Sequence, residues 1–441
     1  MPLSNLALFV LILMFFNTEA IAAPAEFWYS HTGAAASAIT ELCQRFNVGR
    51  FTEDQLQCLY QGSYEQTLQK TVAAYRAGKS PTLVEIYDVA TPDMLLGGAS
   101  YPVQKLMAEH NRTYPAGTFL PVLKRYYSGN DHVLAAQPFA VSTAVLYSHR
   151  EALAAVGIFE PPKTWEAFSN ALYALKRHGS TCPAVTALHP WIWLEQTSAA
   201  QGAPIASHSD GADLYRFDNG THPKLMNQLA LWRAQGLIQH QDSTRSGQQA
   251  LAFASGDCAL LLDSTGAWNV MRNAQENDVE VSALPIYAGT ERKANAPGGS
   301  ALWIMRGREA QEYAAATAFL DFLLQPENQL LFSSRTGYLP VTRASAAQAI
   351  QNTDTPTAIS VGLAALARVD GQKTAPVRCG FVPLMRLIWS QQIENALAGQ
   401  QSIDQALQQA VVRSNTLLSL FGEMYADQTS DAACLTGAVT R

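Results

Sequence analysis

Apolar positions in the first mature stretch of the chain fall alternately into short blocks and helical stripes. Glu26–Ser30 (EFWYS) reads as a short buried strand. Ile39, Leu42, Cys43 and Phe46 then recur at the i, i+3, i+4, i+7 spacing of an amphipathic helix. A strand at Leu56–Tyr60, a loop QGSYEQ, a helix over Thr67–Gly78 and a strand over Pro81–Val89 complete the run. Strand, helix, strand, helix, strand predicts an α/β unit with a parallel sheet flanked by helices. Ligands of such sheets lie beyond the C-terminal strand ends. Tyr64 follows one of these strands and Asp88 ends the next, so both fall on that edge.

A second unit opens after Ala135–Arg150, AAQPFAVSTAVLYSHR, which joins two apolar segments with no helix between them. A strand crossing from one lobe to another would look this way. Pro161–Gly179 is a marked helix: Thr164 can cap its start, Glu166 suits the positive end, Lys176 and Arg177 the negative end, and Gly179 can stop it. Further on, a strand at Ala259–Leu262 runs into Ser264-Thr265-Gly266 and a helix start. Pro297–Met305 (PGGSALWIM) is a Gly-rich lead into a strand, and Tyr313–Leu324 is a helix followed by a shorter one opened by Pro326. In RTGYLPVT (Arg335–Thr342), Tyr338 stands between a turn-forming Gly337 and a stiffening Pro340. Its ring either packs on the body of the protein or serves as an arm into a cleft. Ala344–Lys373 reads only as helix plus loop, and Ser402 with Gln405 forms a capping-box pattern at the head of the last helix.

A length of 441 residues sets two domains as the expectation. A net charge of −6 without a basic block argues against nucleic acid or an anionic membrane surface as partner. Leu6–Phe16 has the length of a signal-peptide core and is too short to span a bilayer, and Ala20–Ile21–Ala22 supplies small residues for cleavage near Ala22. We therefore expect an exported, periplasmic chain; an uncleaved anchor is the alternative, since no Lys or Arg precedes the apolar run. Export permits disulfides among the six cysteines. Cys43 on a helix and Cys58 on the next strand are placed to meet, Cys182 and Cys258 fall in one lobe, and Cys379 with Cys434 would staple the tail. Free buried thiols remain the other reading of the middle pair.

Catalytic signatures are missing. The nine His residues form no H-x-H or H-E-x-x-H, and there is no G-x-S-x-G, P-loop, G-x-G-x-x-G or C-x-x-C. Glu65 and Asp88 could in principle act as a glycosidase pair, but solvated surface is the simpler reading. No enzyme, metal or cofactor is expected. What recurs is a set of small polar positions at strand ends and turns: Ser142, Ser264, Gly299 and Tyr338. Together they fit hydrogen-bond donors offered to a small polar ligand between two lobes. Singly, Ser142 could bond a neighbouring backbone group and Gly299 could merely supply a positive φ. Arg386, in the apolar VPLMRLIW, offers a fork for phosphate, or else packs its stem and sends its head to water.

Several stretches are similar to one family. FWYSHTG, QRFN, YQGSYEQ, QPFAVSTAVLY, PPKTWEAF, SGDCAL, PGGSALW, FLDFLLQPENQ, TGYLPVT and the P-x-x-R of Pro383–Arg386 resemble the periplasmic solute-binding proteins of ABC importers, within them the branch that binds glycerol 3-phosphate. The resemblance runs from about Glu26 to about Leu420 and thins between Ala344 and Lys373. It implies a type II binding-protein fold, two α/β lobes joined by crossover hinge strands: residues 23–139 with 294–342, and 140–293 with 343–425, ahead of a tail over 426–441. It implies a glycerophosphate ligand clamped between the lobes, a membrane permease with ATPase subunits as partner, and no catalysis. Carried over, the pocket falls on Tyr64, Asp88, Ser142, Ser264, Gly299, Tyr338 and Arg386. Arg386, the two Tyr, the two Ser and the Gly299 N–H would donate to phosphoryl or ester oxygens, and Asp88 would accept from glycerol hydroxyls. Tyr338 would then be the pocket arm. Two departures stand out: Asp88 replaces a Glu, and Leu188 replaces a pocket Trp while Trp191 remains. Both enlarge the pocket, as a glycerophosphodiester such as glycerophosphocholine would need. An oligosaccharide ligand is the alternative within the family, and a secreted diester hydrolase lies outside it.

Overall fold

The computed structural model describes residues 24–209, 212–271, 278–367, 378–426 and 434. The expected signal peptide and most of the expected tail lie outside them. The first sheet is built from β1 (Ala25–Tyr29), β2 (Leu56–Tyr60), β3 (Leu83–Tyr87), β4 (Ser100–Tyr101) and β5 (Gln137–Ser142). The second takes β6 (Ala144–His149), β7 (Ala184–Thr186), β10 (Ile238–His240), β11 (Leu260–Ser264) and β12 (Val279–Ala283), while β8 (Ala206–Ser209) and β9 (Ala212–Tyr215) form a separate hairpin. The chain then returns to the first sheet as β13 (Gly298–Met305).

Strand order in the first sheet is β2-β1-β3-β13-β4, with β5 also paired to β13, and in the second it is β10-β7-β11-β6-β12. β1, β2 and β3 pair in parallel, as their alternation with helices requires. β13 runs antiparallel to β3 and β5. Thr143 alone separates the end of β5 in one sheet from the start of β6 in the other. The segment between β12 and β13 crosses back.

Local signals place most elements. Thr164 Oγ1 accepts from the Ala167 N–H at the start of helix Trp165–Arg177, and Ser402 and Gln405 form the expected capping box. One boundary moves. A capping box at Ser63 and Gln66 starts the second helix at Tyr64, so Tyr64 lies in its first turn and not in a loop before it. All three expected disulfides are present: Cys43–Cys58, Cys182–Cys258 and Cys379–Cys434. The stretch from Ala344 contains two helices, Arg343–Gln351 and Thr357–Ala367, and its part over 368–373 lies outside the described residues. No described helix is long and apolar enough to cross a membrane.

Candidate functional site

Where the chain crosses between sheets, four segments converge. Gly298 and Gly299 of β13 face Ser142 and Val141 of β5. Ser264, the last residue of β11, faces Ala144 of β6. The Thr265 N–H donates to Thr143 O at 2.9 Å, and Leu339 N–H to Val141 O at 2.7 Å. Ser142, Ser264, the Gly298–Gly299 turn and Tyr338 therefore meet at one place, although 196 residues separate the first from the last.

The groups they present are neutral donors. Ser264 Oγ accepts from Gly266 N–H at 3.0 Å, which leaves its own hydrogen available. Among the described residues the Ser142 hydroxyl makes no hydrogen bond. The glycine pair is needed for close approach: a Cβ on Gly298 would overlap the Trp191 indole, and one on Gly299, at φ +99°, would overlap the Ala140 carbonyl. The Trp191 Nε1–H pressed against this turn is buried without a protein partner. Tyr338 follows the left-handed Gly337 (φ +77°), its ring stacked on Phe332 at 5.8 Å and in van der Waals reach of Gly266.

Tyr64 joins from the first lobe. Its ring stacks on Tyr87 at 5.6 Å and 9°, and its hydroxyl lies 3.4 Å from His31 Nε2, with the Tyr338 phenol nearby. Burial drives both phenols well above their usual range, so each stays protonated and able to donate. Behind them sits Glu85, fully buried on β3. It takes His31 Nε2 at 2.6 Å, Ser300 Oγ at 2.5 Å and Ser30 N–H at 2.9 Å. Burial would raise this carboxyl, but His31 and the donors together hold it below its ordinary value.

The other end of the site is charged. Asp88 opens the turn after β3, and Arg386 lies on helix Val382–Leu397. The guanidinium, its side chain 11% exposed, is turned toward carboxylates and not out into bulk water, one of the two readings its sequence context left open. Its Nε and Nη2 donate to Glu195 Oε1 and Oε2 at 2.6 and 2.8 Å, a forked pair. Its Nη2 stands 3.9 Å from Asp88 Oδ2, too far for a hydrogen bond. Tyr126 Oη donates to the Asp88 carbonyl at 3.2 Å. Burial pushes the Asp88 carboxyl up to about 7, with Arg386 pulling against that and Glu195 adding to it. Burial would lower Arg386, but Glu195 more than offsets it and keeps the guanidinium charged. Burial, and then Arg386, push nearby His189 down to about 4, so it is neutral here.

Glu195, His31, Glu85 and Ser300 escaped the reading of the sequence. Glu195 carried a signal, since it is the single acid in the apolar WIWLEQ, as Arg386 is the single cation in VPLMRLIW. That segment forms a π-helical turn, Trp191–Gln196, a geometry that often marks functional sites. Leu188 lies in the loop before it, at φ +54°, with its side chain in the large apolar core. Glu65 is exposed and accepts from Ser63 Oγ at 2.8 Å, whereas Asp88 is buried; the two carboxylates do not share an environment of the kind a glycosidase pair requires.

A model of bacterial extracellular solute-binding proteins matches residues 48–358. Over 411 residues, 90% of this chain and 92% of the relative, the sequence is 31% identical to the sn-glycerol-3-phosphate-binding periplasmic protein UgpB of Escherichia coli K12. UgpB from Mycobacterium tuberculosis, solved in complex with glycerophosphocholine, superposes with a TM-score of 0.75 at 23% identity, covering 90% of this chain and 99% of that one. Maltose-bound MalE3 of T. maritima gives the same TM-score of 0.75 at 15% identity, covering 90% and 100%. Likeness at these identities establishes a shared two-lobed fold. By sequence, the chain belongs to the bacterial extracellular solute-binding proteins.

Proposed function

We propose that this protein captures glycerol 3-phosphate compounds, glycerophosphodiesters among them, between its two lobes and hands them to a membrane permease driven by ATPase subunits. Export behind a cleaved signal peptide, with a division of the lobes near Thr143 and again before β13, belongs to the same reading. The observation that carries it is the polarity of the site. One end offers neutral donors from both lobes, and the other is a guanidinium held between two carboxylates.

Neutral donors in a buried turn suit a phosphoryl group, since hydroxyls, an indole N–H and backbone N–H can all point at anionic oxygens. Tyr64, Ser142, Ser264, Gly299 and Tyr338 are the proposed phosphate set, with Trp191 beside them. The Arg386 fork, which the family resemblance offers to phosphate, is already engaged by Glu195. A second anion there would have to displace that carboxylate. We therefore assign Arg386 and Asp88 to the glycerol hydroxyls. The 3.9 Å gap between them leaves room for a hydroxyl that accepts from the guanidinium and donates to the carboxylate. Asp88 in place of Glu, and Leu188 in place of Trp, would leave space for a substituent on the phosphate.

Calorimetric titration of ligand-stripped protein with glycerophosphocholine, glycerol 3-phosphate, glycerol and maltose tests this. Micromolar or tighter binding of a phosphate compound, weakened by Ser264→Ala, is the expected result. The charged end also suits sugar hydroxyls, and binding of maltose alone would replace the glycerophosphate reading by an oligosaccharide one.

A further inference from the structure

The π-helical turn that carries Trp191 and Glu195 into the site ends on Gln196, whose side chain points the other way in function. Gln196 is fully buried. Its Nε2 donates to Ala296 O at 2.8 Å, in the segment crossing back to β13. Its Oε1 accepts from Thr143 Oγ1 at 3.2 Å, and Thr143 is the single residue between β5 and β6. Asn295 completes the group: its Nδ2 donates to Thr143 Oγ1 at 3.1 Å and to Ala144 O at 3.0 Å. Both crossovers are thereby stitched to each other and to the turn by side chains that are all buried.

Such a cluster costs desolvation unless every member is satisfied, and here the hydroxyl and both amides find partners. An apolar trio would fill the same space without that demand. What the polar version adds is directionality: the Gln196 and Asn295 amides each tie one crossover to the other through oriented bonds. Glu195, one residue earlier, is fixed by Arg386. We propose that Gln196 and Asn295 are positioning residues that couple the contents of the cleft to the hinge, with the turn Trp191–Gln196 as the lever and Thr143 as the pivot. Anything that moves Glu195 or Trp191 moves the latch, and the latch sets how far the lobes open.

This inference rests on the reading of the cleft as a ligand site, so the experiment has an arm that needs no ligand. Full-length wild type, Gln196→Leu and Thr143→Val are compared by small-angle scattering without ligand. The same proteins are then titrated with glycerophosphocholine and glycerol 3-phosphate by calorimetry and stopped-flow fluorescence. We expect both variants to show a broader distribution of interlobe distances, and both ligands to weaken by the same factor, about tenfold, mainly through faster dissociation. Their ranking should not change, because Gln196 acts through the hinge. Unchanged scattering overturns the proposal even if the melting temperature falls, since that is what a purely structural role would do. A changed ranking overturns it in favour of direct contact. If Gln196→Leu fails to fold, the isosteric Thr143→Val decides. If wild type binds neither ligand, the binding reading falls, and scattering still decides the latch.

Discussion

The two ends of the candidate site solve the same problem, a polar surface inside a protein, in opposite ways. At the crossover end, the Trp191 indole N–H has no protein partner and the Ser264 hydroxyl accepts from Gly266 N–H, leaving its own hydrogen to give. At the other end Glu195 takes both prongs of the Arg386 fork, and Asp88 stands 3.9 Å from the same guanidinium. The first end is poised to gain from an incoming anion. The second gains little from added charge and is suited to neutral hydroxyls threaded between its groups. Net charge of a site is thus a poorer guide to its ligand than the unfilled part of its hydrogen-bonding capacity.

The largest effect that would test this contrast is removal of the cation. Arg386→Ala leaves the buried Asp88 and the partly buried Glu195 with no countercharge. Breaking such a network costs about 3–5 kcal/mol, so a marked drop in melting temperature should accompany loss of all binding. An Arg386→Ala protein that stayed stable and bound a phosphate compound normally would erase the distinction between the ends. Next come the neutral donors. Tyr338→Phe and Ser264→Ala should each weaken phosphate ligands by about 10-fold, the equivalent of one hydrogen bond to a charged group, with little change in stability. Equal losses for glycerol and for its phosphate in calorimetry would mean these groups do not face the phosphoryl oxygens.

A subtler pair of changes bears on the ligand's size. Leu188→Trp, alone or with Asp88→Glu, should favour the monoester over the diester by about 10-fold in relative affinity, as one pocket-filling side chain can do. A separate effect concerns proton uptake. Asp88 is held near 7 in the folded protein, above its usual value of 3.8. Between those values the folded state keeps a proton that the unfolded state has lost, so its contribution to stability declines as pH rises and the penalty is complete above about 7. Asp88→Asn should therefore raise the melting temperature of ligand-free protein at pH 8 and change it by no more than about 1 °C near pH 4. The reverse pH dependence would show that Asp88 gains more from Arg386 than it loses by burial.

Most of the frame of this site was legible in the chain. Tyr64 and Asp88 followed from the rule that ligands lie beyond strand ends, and both sit at the C-terminal edge of the first sheet, after β2 and β3. Strand-end and turn chemistry singled out Ser142, Ser264, Gly299 and Tyr338, and the structure brings these four together at the crossover. Glu85 was hidden, because a carboxylate within the strand LVEIY reads as an outward-facing residue until the sheet around it is known. Here it is fully buried and met by His31, Ser30 and Ser300. Arg386 was visible as an anomaly, but its partner was not.

By itself, then, the sequence determined what depends on neighbours a few residues away: the caps at Thr164 and Ser402, the turn at Gly337, and the alternation of strands and helices that sets the sheet class. Each of these rests on contacts within a turn of the chain, and so survives in a one-dimensional reading. Tertiary structure alone decided that Glu195 would close the Arg386 fork from 191 positions away, and that Gln196 would bridge two crossovers, one of them 100 positions distant. Those pairings depend on how two sheets are set against each other. Hydrophobic burial fixes that placement collectively, and no local pattern encodes it.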